Sequence, residues 1–344
     1  MTFKEFVQSK KEIKLGFLGG SITFGTGASS GNLCYRNRVT AMLREKYPNT
    51  EFKNINAAIG GTGSDLGLFR MEKQLLSEKP DIVFVEFAVN DGEDSKTDVY
   101  MENILRRVWK KDSSVPVVFL YSICDYMADK YYSQGKTPKV IEKQQKIADY
   151  YNIISVNMGK AVYEKMEAGN FDIKAYTTDG VHPNDKGHGI YAECVVNALE
   201  KLRIDYRCPE KFLTKEIKNP SLVIPRATGN WKESRFKTYG IDEPYIYSNT
   251  PGDSYEHTFT GTIVGVVFLM EKDCGIFRYS IDDGEEKTFS CYDHYCDRFP
   301  RTSYTILADS LTNGKHTIKI TVSDSKEENS EGTYIRISAF LTAE

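Results

Sequence analysis

The sequence predicts a two-part α/β chain: a three-layer α/β/α domain over residues 1–206, followed by an antiparallel β-sandwich over residues 207–344. Three observations carry this. Up to about Leu202, short apolar β-rich runs alternate with stretches of helical spacing. The runs are near-continuous in apolar residues, as strands of a parallel sheet covered on both faces must be. Beyond Leu202 the helical period stops, and short β-rich runs separated by turn signals replace it. With 344 residues, 40% hydrophobic and 12% aromatic, the chain can fill two cores.

The strands of the first part are Ile13–Leu18, Phe52–Asn56, Ile82–Phe87, Val115–Tyr121 and Ile153–Val156. Between them, Tyr35–Tyr47 places Val39, Met42 and Leu43 on one helical face, and Asp65–Leu76 does the same with Leu68, Met71, Leu75 and Leu76. Val99–Lys111, Val140–Tyr150 and Met158–Glu167 follow, and Lys186–Arg203 closes the series with Ile190, Cys194, Val195 and Leu199. In the second part the β-rich runs are Tyr255–Phe259, Thr262–Met270, Ile276–Ile281, Lys287–Cys291, His316–Val322 and Thr333–Leu341. Asp282-Asp283-Gly284 and Thr312-Asn313-Gly314 serve as turns. The stretch Cys208–Ile241 is mixed and reads as the connection.

Bulk properties exclude several classes. A net charge of −3 argues against a nucleic-acid or anionic-membrane partner. No apolar run approaches the ~20 residues of a membrane span. The seven cysteines (Cys34, Cys124, Cys194, Cys208, Cys274, Cys291, Cys296) are scattered and contain no Cys-x-x-Cys pair, so a zinc ribbon or dithiol motif is not expected. Scattered single thiols fit a reducing compartment, and Met1–Lys14 has no apolar core of a secretory signal; both point to the cytoplasm. Twenty-two tyrosines against two tryptophans is an excess that suits binding of polar ligands such as sugars, and suits β-sheet equally.

Several motifs fail. The third glycines of Gly25-Thr26-Gly27 and Gly61-Thr62-Gly63 fall one residue too far on for a dinucleotide fingerprint. Lys130 stands where a P-loop ending in Gly135-Lys136-Thr137 needs its first glycine. There is no His-Glu-x-x-His and no Gly-x-Ser-x-Gly elbow.

What remains lies at strand ends, where a parallel sheet gathers its site. The first strand runs into Gly19-Gly20-Ser21-Ile22. Taken alone, this is a strand-to-helix turn whose serine is an N-cap or a nucleophile. The second strand runs into the glycine-rich loop Asn56–Gly63, which opens a helix and can aim backbone N–H groups at an anion. The third ends at Ala88-Val89-Asn90-Asp91, a short amide donor followed by an acid that could brace the loop. Ahead of the last helix comes Asp179-Gly180-Val181-His182-Pro183. Ester hydrolysis needs a hydroxyl nucleophile, a base, a group that orients the base, and oxyanion donors. Ser21, His182 and Asp179 supply the first three. The N–H groups of Ser21 and Gly61 and the side chain of Asn90 supply the donors.

These four segments resemble the conserved blocks of the SGNH hydrolases, the GDSL esterase family. Ser21 stands for the block I serine, Gly61 for the block II glycine, Asn90 for the block III asparagine, and Asp179 and His182 for the block V pair. The resemblance covers about residues 10–203. It departs in two places: Gly19-Gly20-Ser21-Ile22 for Gly-Asp-Ser-Leu, and Ala88-Val89-Asn90-Asp91 for Gly-x-Asn-Asp. Neither removes a reacting group. The resemblance implies a flavodoxin-like fold, ester hydrolysis, and no metal or cofactor.

The second domain looks like the sandwich, similar to a carbohydrate-binding module, of two-domain polysaccharide acetylesterases. Acetyl-mannan esterases of carbohydrate esterase family 17 are the nearest type. An acetylated oligosaccharide or polysaccharide of mannan or xylan type is therefore the expected substrate. Tyr292, His294 and Tyr295, in the aromatic and charged tract Cys291–Phe299, are candidate sugar contacts, with Trp231 beside them. The alternatives are a lipase or thioesterase using the same chemistry, and a non-catalytic sugar-binding protein on a hydrolase scaffold. The oligomeric state is open, a homodimer included. Glu86 in an apolar strand and Arg70 on an apolar helix face could form a buried pair, because buried charges need partners.

Overall fold

Five apolar runs form one parallel sheet in the computed structural model, which describes residues 1–93, 95–204, 210–238 and 241–344. The boundary expected between residues 206 and 207, and Cys208, lie outside the described residues. The chain divides into two compact units, Met1–Glu216 and Ile217–Glu344.

The first unit runs α1 (Phe3–Gln8), β1 (Glu12–Gly19), α2 (Ser21–Phe24), α3 (Tyr35–Lys46), β2 (Glu51–Ala58), α4 (Ser64–Gln74), β3 (Ile82–Glu86), α5 (Thr97–Lys111), β4 (Val117–Tyr121), α6 (Asp125–Lys130), α7 (Lys139–Tyr151), β5 (Ser155–Asn157), α8 (Met158–Gly169) and α9 (Asp185–Leu199). Strand order is β2-β1-β3-β4-β5, all pairs parallel. This is the flavodoxin-like order, whose direction reverses between β1 and β3; ligands of such sheets bind at that reversal, beyond the carboxyl ends of the strands. Every residue of β3 and β4 is buried, because helices cover both faces. Helices α3, α8 and α9 pack together in one layer; α4, α5 and α7 pack together in the other.

A strap closes this unit. Glu102 of α5 is fully buried, and its carboxylate accepts from the backbone N–H groups of Leu213 (2.6 Å) and Thr214 (2.7 Å) and from the Thr214 hydroxyl. Arg106, one turn on, donates to the carbonyls of Glu210 and Lys211 and stacks over the Phe212 ring at 3.7 Å. Residues 210–215 therefore run along α5.

The second unit is a β-sandwich of β6 (Ser221–Val223), β7 (Lys232–Thr238), β8 (Ile241–Ser248), β9 (Ser254–Gly261), β10 (Ile263–Met270), β11 (Ile276–Ile281), β12 (Lys287–Ser290), β13 (Arg301–Ala308), β14 (Gly314–Val322) and β15 (Ile335–Ala343). One sheet has the order β13-β10-β15-β8-β7, with β6 beside β15; the other is β12-β11-β14-β9. Phe268, Phe277, Ile320, Ile337 and Phe340 lie in the core between them. Strands β7, β8 and β13 stand where the sequence shows no clear β run. Residues 232–235 and 237 of β7 are exposed, and all eight residues of β13 are half-buried, so no run of apolar side chains announces either.

Candidate active site

Ser21 is the first residue of α2. Its N-cap is Gly20, and no side chain caps the helix. The N-cap role that the sequence alone allowed for Ser21 is thus taken by Gly20, and the serine hydroxyl is left for other partners. Ser21 Oγ lies 2.9 Å from Nε2 of His182, and Nδ1 of His182 lies 2.7 Å from Oδ2 of Asp179. With a carboxylate on Nδ1, that nitrogen carries the proton, and Nε2 is free to accept from the serine hydroxyl.

The acid and base share one turn. Oδ1 of Asp179 accepts from the backbone N–H groups of Val181 (3.0 Å) and His182 (2.8 Å), and Thr178 N–H donates to the His182 carbonyl at 2.8 Å. Burial pushes the Asp179 pKa up, but the His182 and Val181 N–H groups and the His182 ring outweigh it and hold the group below its ordinary value. It therefore stays ionised. The turn is also tied to the nucleophile side. Gly27 has φ of +91°, and a Cβ there would sit 2.3 Å from the Pro183 carbonyl oxygen, so only glycine lets the loop after α2 lie against the His182–Pro183 backbone.

The donor side converges on Gly20. A Cβ at Gly20 would lie 2.0 Å from Oδ1 of Asn90 and 3.3 Å from the Thr62 carbonyl oxygen. A Cβ at Gly60 would lie 3.7 Å from Cβ of Ser21. The Gly60–Gly63 loop and the Asn90 amide thus flank the Gly20–Ser21 turn. Among the described residues, Asn90 Oδ1 is buried without a hydrogen-bond partner. Asp91 fastens the two donor segments together. Its Oδ1 accepts from Ser64 N–H at 2.8 Å, at the start of α4, and its Oδ2 accepts from Thr97 and Gln144. Burial raises its pKa to about 6.

Beneath the turn Glu86 and Arg70, which the sequence allowed as a buried pair, do not pair with each other. Alternation along β3 is the reason. Phe87 packs where Gly67 of α4 approaches the sheet, so Glu86 points to the opposite face, away from the α4 layer that carries Arg70. Glu86 instead accepts from the hydroxyls of Ser122 (2.5 Å) and Thr23 (2.9 Å), and Thr23 Oγ1 lies 2.8 Å from the Tyr35 hydroxyl. Burial is the dominant cause that lifts Glu86 to about 7. Arg70 donates to the carbonyls of Ala57 (2.5 Å) and Gly19 (2.9 Å), at the carboxyl ends of β2 and β1 just before the Gly60 loop and the Ser21 turn. His188 of α9 accepts from Tyr35 N–H on Nδ1, so its Nε2–H donates to the Thr26 carbonyl. Sequence reading missed these roles, because a hydroxyl or carbonyl partner leaves no charge pattern to find.

The candidate sugar contacts all fall in the second unit. The Tyr292 hydroxyl donates to Asp297 at 2.7 Å, His294 lies 3.9 Å from Tyr295 between ring centroids, and Tyr295 is 42% exposed with Arg298 and Arg301 over its ring. Trp231 is a correction. It is 4% exposed, in the sandwich core and edge-on to Tyr255, so it has no face to offer a sugar.

Residues 17–190 match the GDSL-like Lipase/Acylhydrolase family. Two crystal structures of a two-domain esterase (CEX) active on acetylated mannans, one co-crystallized with mannopentaose, have the same fold. Each is 22% identical, covering 99% of this chain and 93% of that one, with TM-scores of 0.81 and 0.82. No curated protein matches in sequence. At this identity the likeness is one of fold.

Proposed function

The chain belongs to the GDSL-like lipase/acylhydrolase family, and on that footing we propose that it is a serine esterase removing O-acetyl groups from plant polysaccharide or oligosaccharide of mannan or xylan type. The observation that carries the chemistry is the Ser21–His182–Asp179 relay, 2.9 Å and 2.7 Å long, at the carboxyl edge of the sheet. His182 Nε2 takes the Ser21 proton as Oγ attacks the acetyl carbonyl, and Asp179 steadies the imidazolium. The oxyanion settles among the N–H groups of Ser21 and Gly61 and the Asn90 amide. Collapse expels the sugar hydroxyl, protonated by His182, and leaves acetyl-Ser21. Water, deprotonated by the same base, then releases acetate.

The glycan part of the reading is supported by the two-unit architecture shared with an esterase active on acetylated mannans. Within it, the tract around Tyr292, His294 and Tyr295 is assigned to sugar contact, since it combines exposed aromatic faces with charged groups. The test is a panel. Acetate release is measured from acetylated mannan, xylan and pectin beside 4-nitrophenyl acetate and octanoate, and a fluorophosphonate probe reports the reactive serine. Expected are acetate from a glycan and labelling lost in Ser21→Ala. No acetate from any glycan, with fast octanoate cleavage, would place the enzyme among lipases. No labelling at all would make it a binding protein.

A further inference from the structure

Tyr126 is an aromatic side chain of the first unit left 46% exposed, yet it is held rigidly. Its hydroxyl donates to the Glu93 carboxylate and lies 2.5 Å from Lys130 Nζ, and that ammonium sits 4.9 Å from the ring centroid. Tyr131 packs edge-on at 6.1 Å and 82°, and its own hydroxyl also donates to Glu93. Lys130 Nζ reaches both Glu93 oxygens, at 3.0 and 3.2 Å. Hydrogen bonds from Tyr126, Tyr131 and Lys130 hold the Glu93 pKa at about 2, so the carboxylate stays charged. Exposed ion pairs of this kind add little stability. Their effect here is to fix an exposed ring in one orientation, so that little side-chain entropy remains to be lost when a ligand covers it.

Both ends of this cluster are tied to the catalytic segments. Glu93 follows Asn90 by three residues on the loop after β3, and Lys143 Nζ pins that loop through the carbonyls of Glu93 and Ser95 at 2.6 and 2.9 Å. Tyr126 follows Asp125, whose N–H donates to the Gly180 carbonyl at 2.8 Å inside the Asp179–His182 turn. The cluster therefore belongs to the same carboxyl edge of the sheet as Ser21, on the β4 side of Asn90.

We infer that Tyr126, Glu93 and Lys130 form a glycan subsite that takes the pyranose ring next to the acetylated residue. An exposed aromatic face suits the C–H face of a pyranose. The charged rim offers an acceptor and a donor to its hydroxyls, whereas an acyl chain needs apolar walls. The inference rests on the carbohydrate-esterase reading above and names a part of its specificity.

The test compares wild type, Tyr126→Ala and Tyr126→Phe on an acetylated manno-oligosaccharide and on 4-nitrophenyl acetate, which has no sugar. For Tyr126→Ala the ratio of glycan to nitrophenyl kcat/KM should fall about tenfold, chiefly through KM. Tyr126→Phe, which keeps the face, should fall less. An unchanged ratio in a folded Tyr126→Ala, with wild type active on the glycan, overturns the subsite alone. Wild type inactive on every acetylated glycan yet active on 4-nitrophenyl acetate overturns the glycan reading, and the subsite with it. Should Tyr126→Ala fail to fold, Tyr126→Leu replaces it and is read against the same two outcomes.

Discussion

Between Gly19 and Ser21 there is room for glycine and nothing larger. The family pattern places an aspartate there, and in this chain any Cβ would enter the space of the Asn90 amide, 2.0 Å from Oδ1. The position is thus linked to the Asn90 amide, the oxyanion donor proposed above, and not to the packing of the turn alone. Gly20→Ala should displace the amide and lower kcat on 4-nitrophenyl acetate toward the level of Asn90→Ala. The latter should lose about 10²–10³ in kcat, the usual consequence of removing one oxyanion donor. Steady-state kinetics on both variants check this. Wild-type turnover in Gly20→Ala would separate Asn90 from the chemistry.

The elements were legible wherever a face is buried. The five parallel strands and the six long helices follow from near-continuous apolar runs and the 3.6 period, because a sheet covered on both sides leaves few polar positions to disguise it. Helix α6 was not legible. It is six residues long, too short for a period, and it carries Tyr126. The strap at 210–215 was equally hidden, since what holds it is a buried carboxylate against backbone N–H groups, which no side-chain pattern encodes. Glu102→Ala should leave the Leu213 and Thr214 N–H groups without their acceptor and cost about 1–3 kcal/mol in denaturant unfolding. It should also open residues 210–216 to limited proteolysis. Unchanged stability and an unchanged cleavage pattern would mean that the strap is not held by Glu102. At the site, Ser21, Asn90, Asp179 and His182 could be read from the sequence, because strand ends in a parallel sheet share one edge. The Glu93–Tyr126–Lys130 cluster could not, because Glu93 comes from the loop after β3 and the other two from α6, a helix too short to show a period.

Across the whole molecule, two buried titratable groups give the fold opposite responses to pH. Glu86 is raised from 4.5 to about 7. Its contribution is fully present below pH 4.5 and is lost as pH rises through about 7. His188, buried and neutral, is lowered from 6.5 to about 4. Its contribution is present above pH 6.5 and is lost as pH falls through about 4. Glu86→Gln removes the first dependence. Its stability relative to wild type should improve from pH 5 to pH 8, by up to ~3 kcal/mol if nothing else changes. His188→Gln should flatten the loss of stability between pH 6.5 and 4. Thermal melts across this range check both signs; a Glu86→Gln difference that shrinks with rising pH would reverse the assignment for Glu86.

The account turns on Ser21 attacking an acetyl ester carried by a sugar. The most direct measurement is the rate of acetate release from acetylated mannan by wild type and by Ser21→Ala, purified alike and shown to be folded. Wild type should release acetate, and Ser21→Ala should fall by at least ~10³-fold, the scale set by losing a triad nucleophile. Release by Ser21→Ala at the wild-type rate would contradict the account.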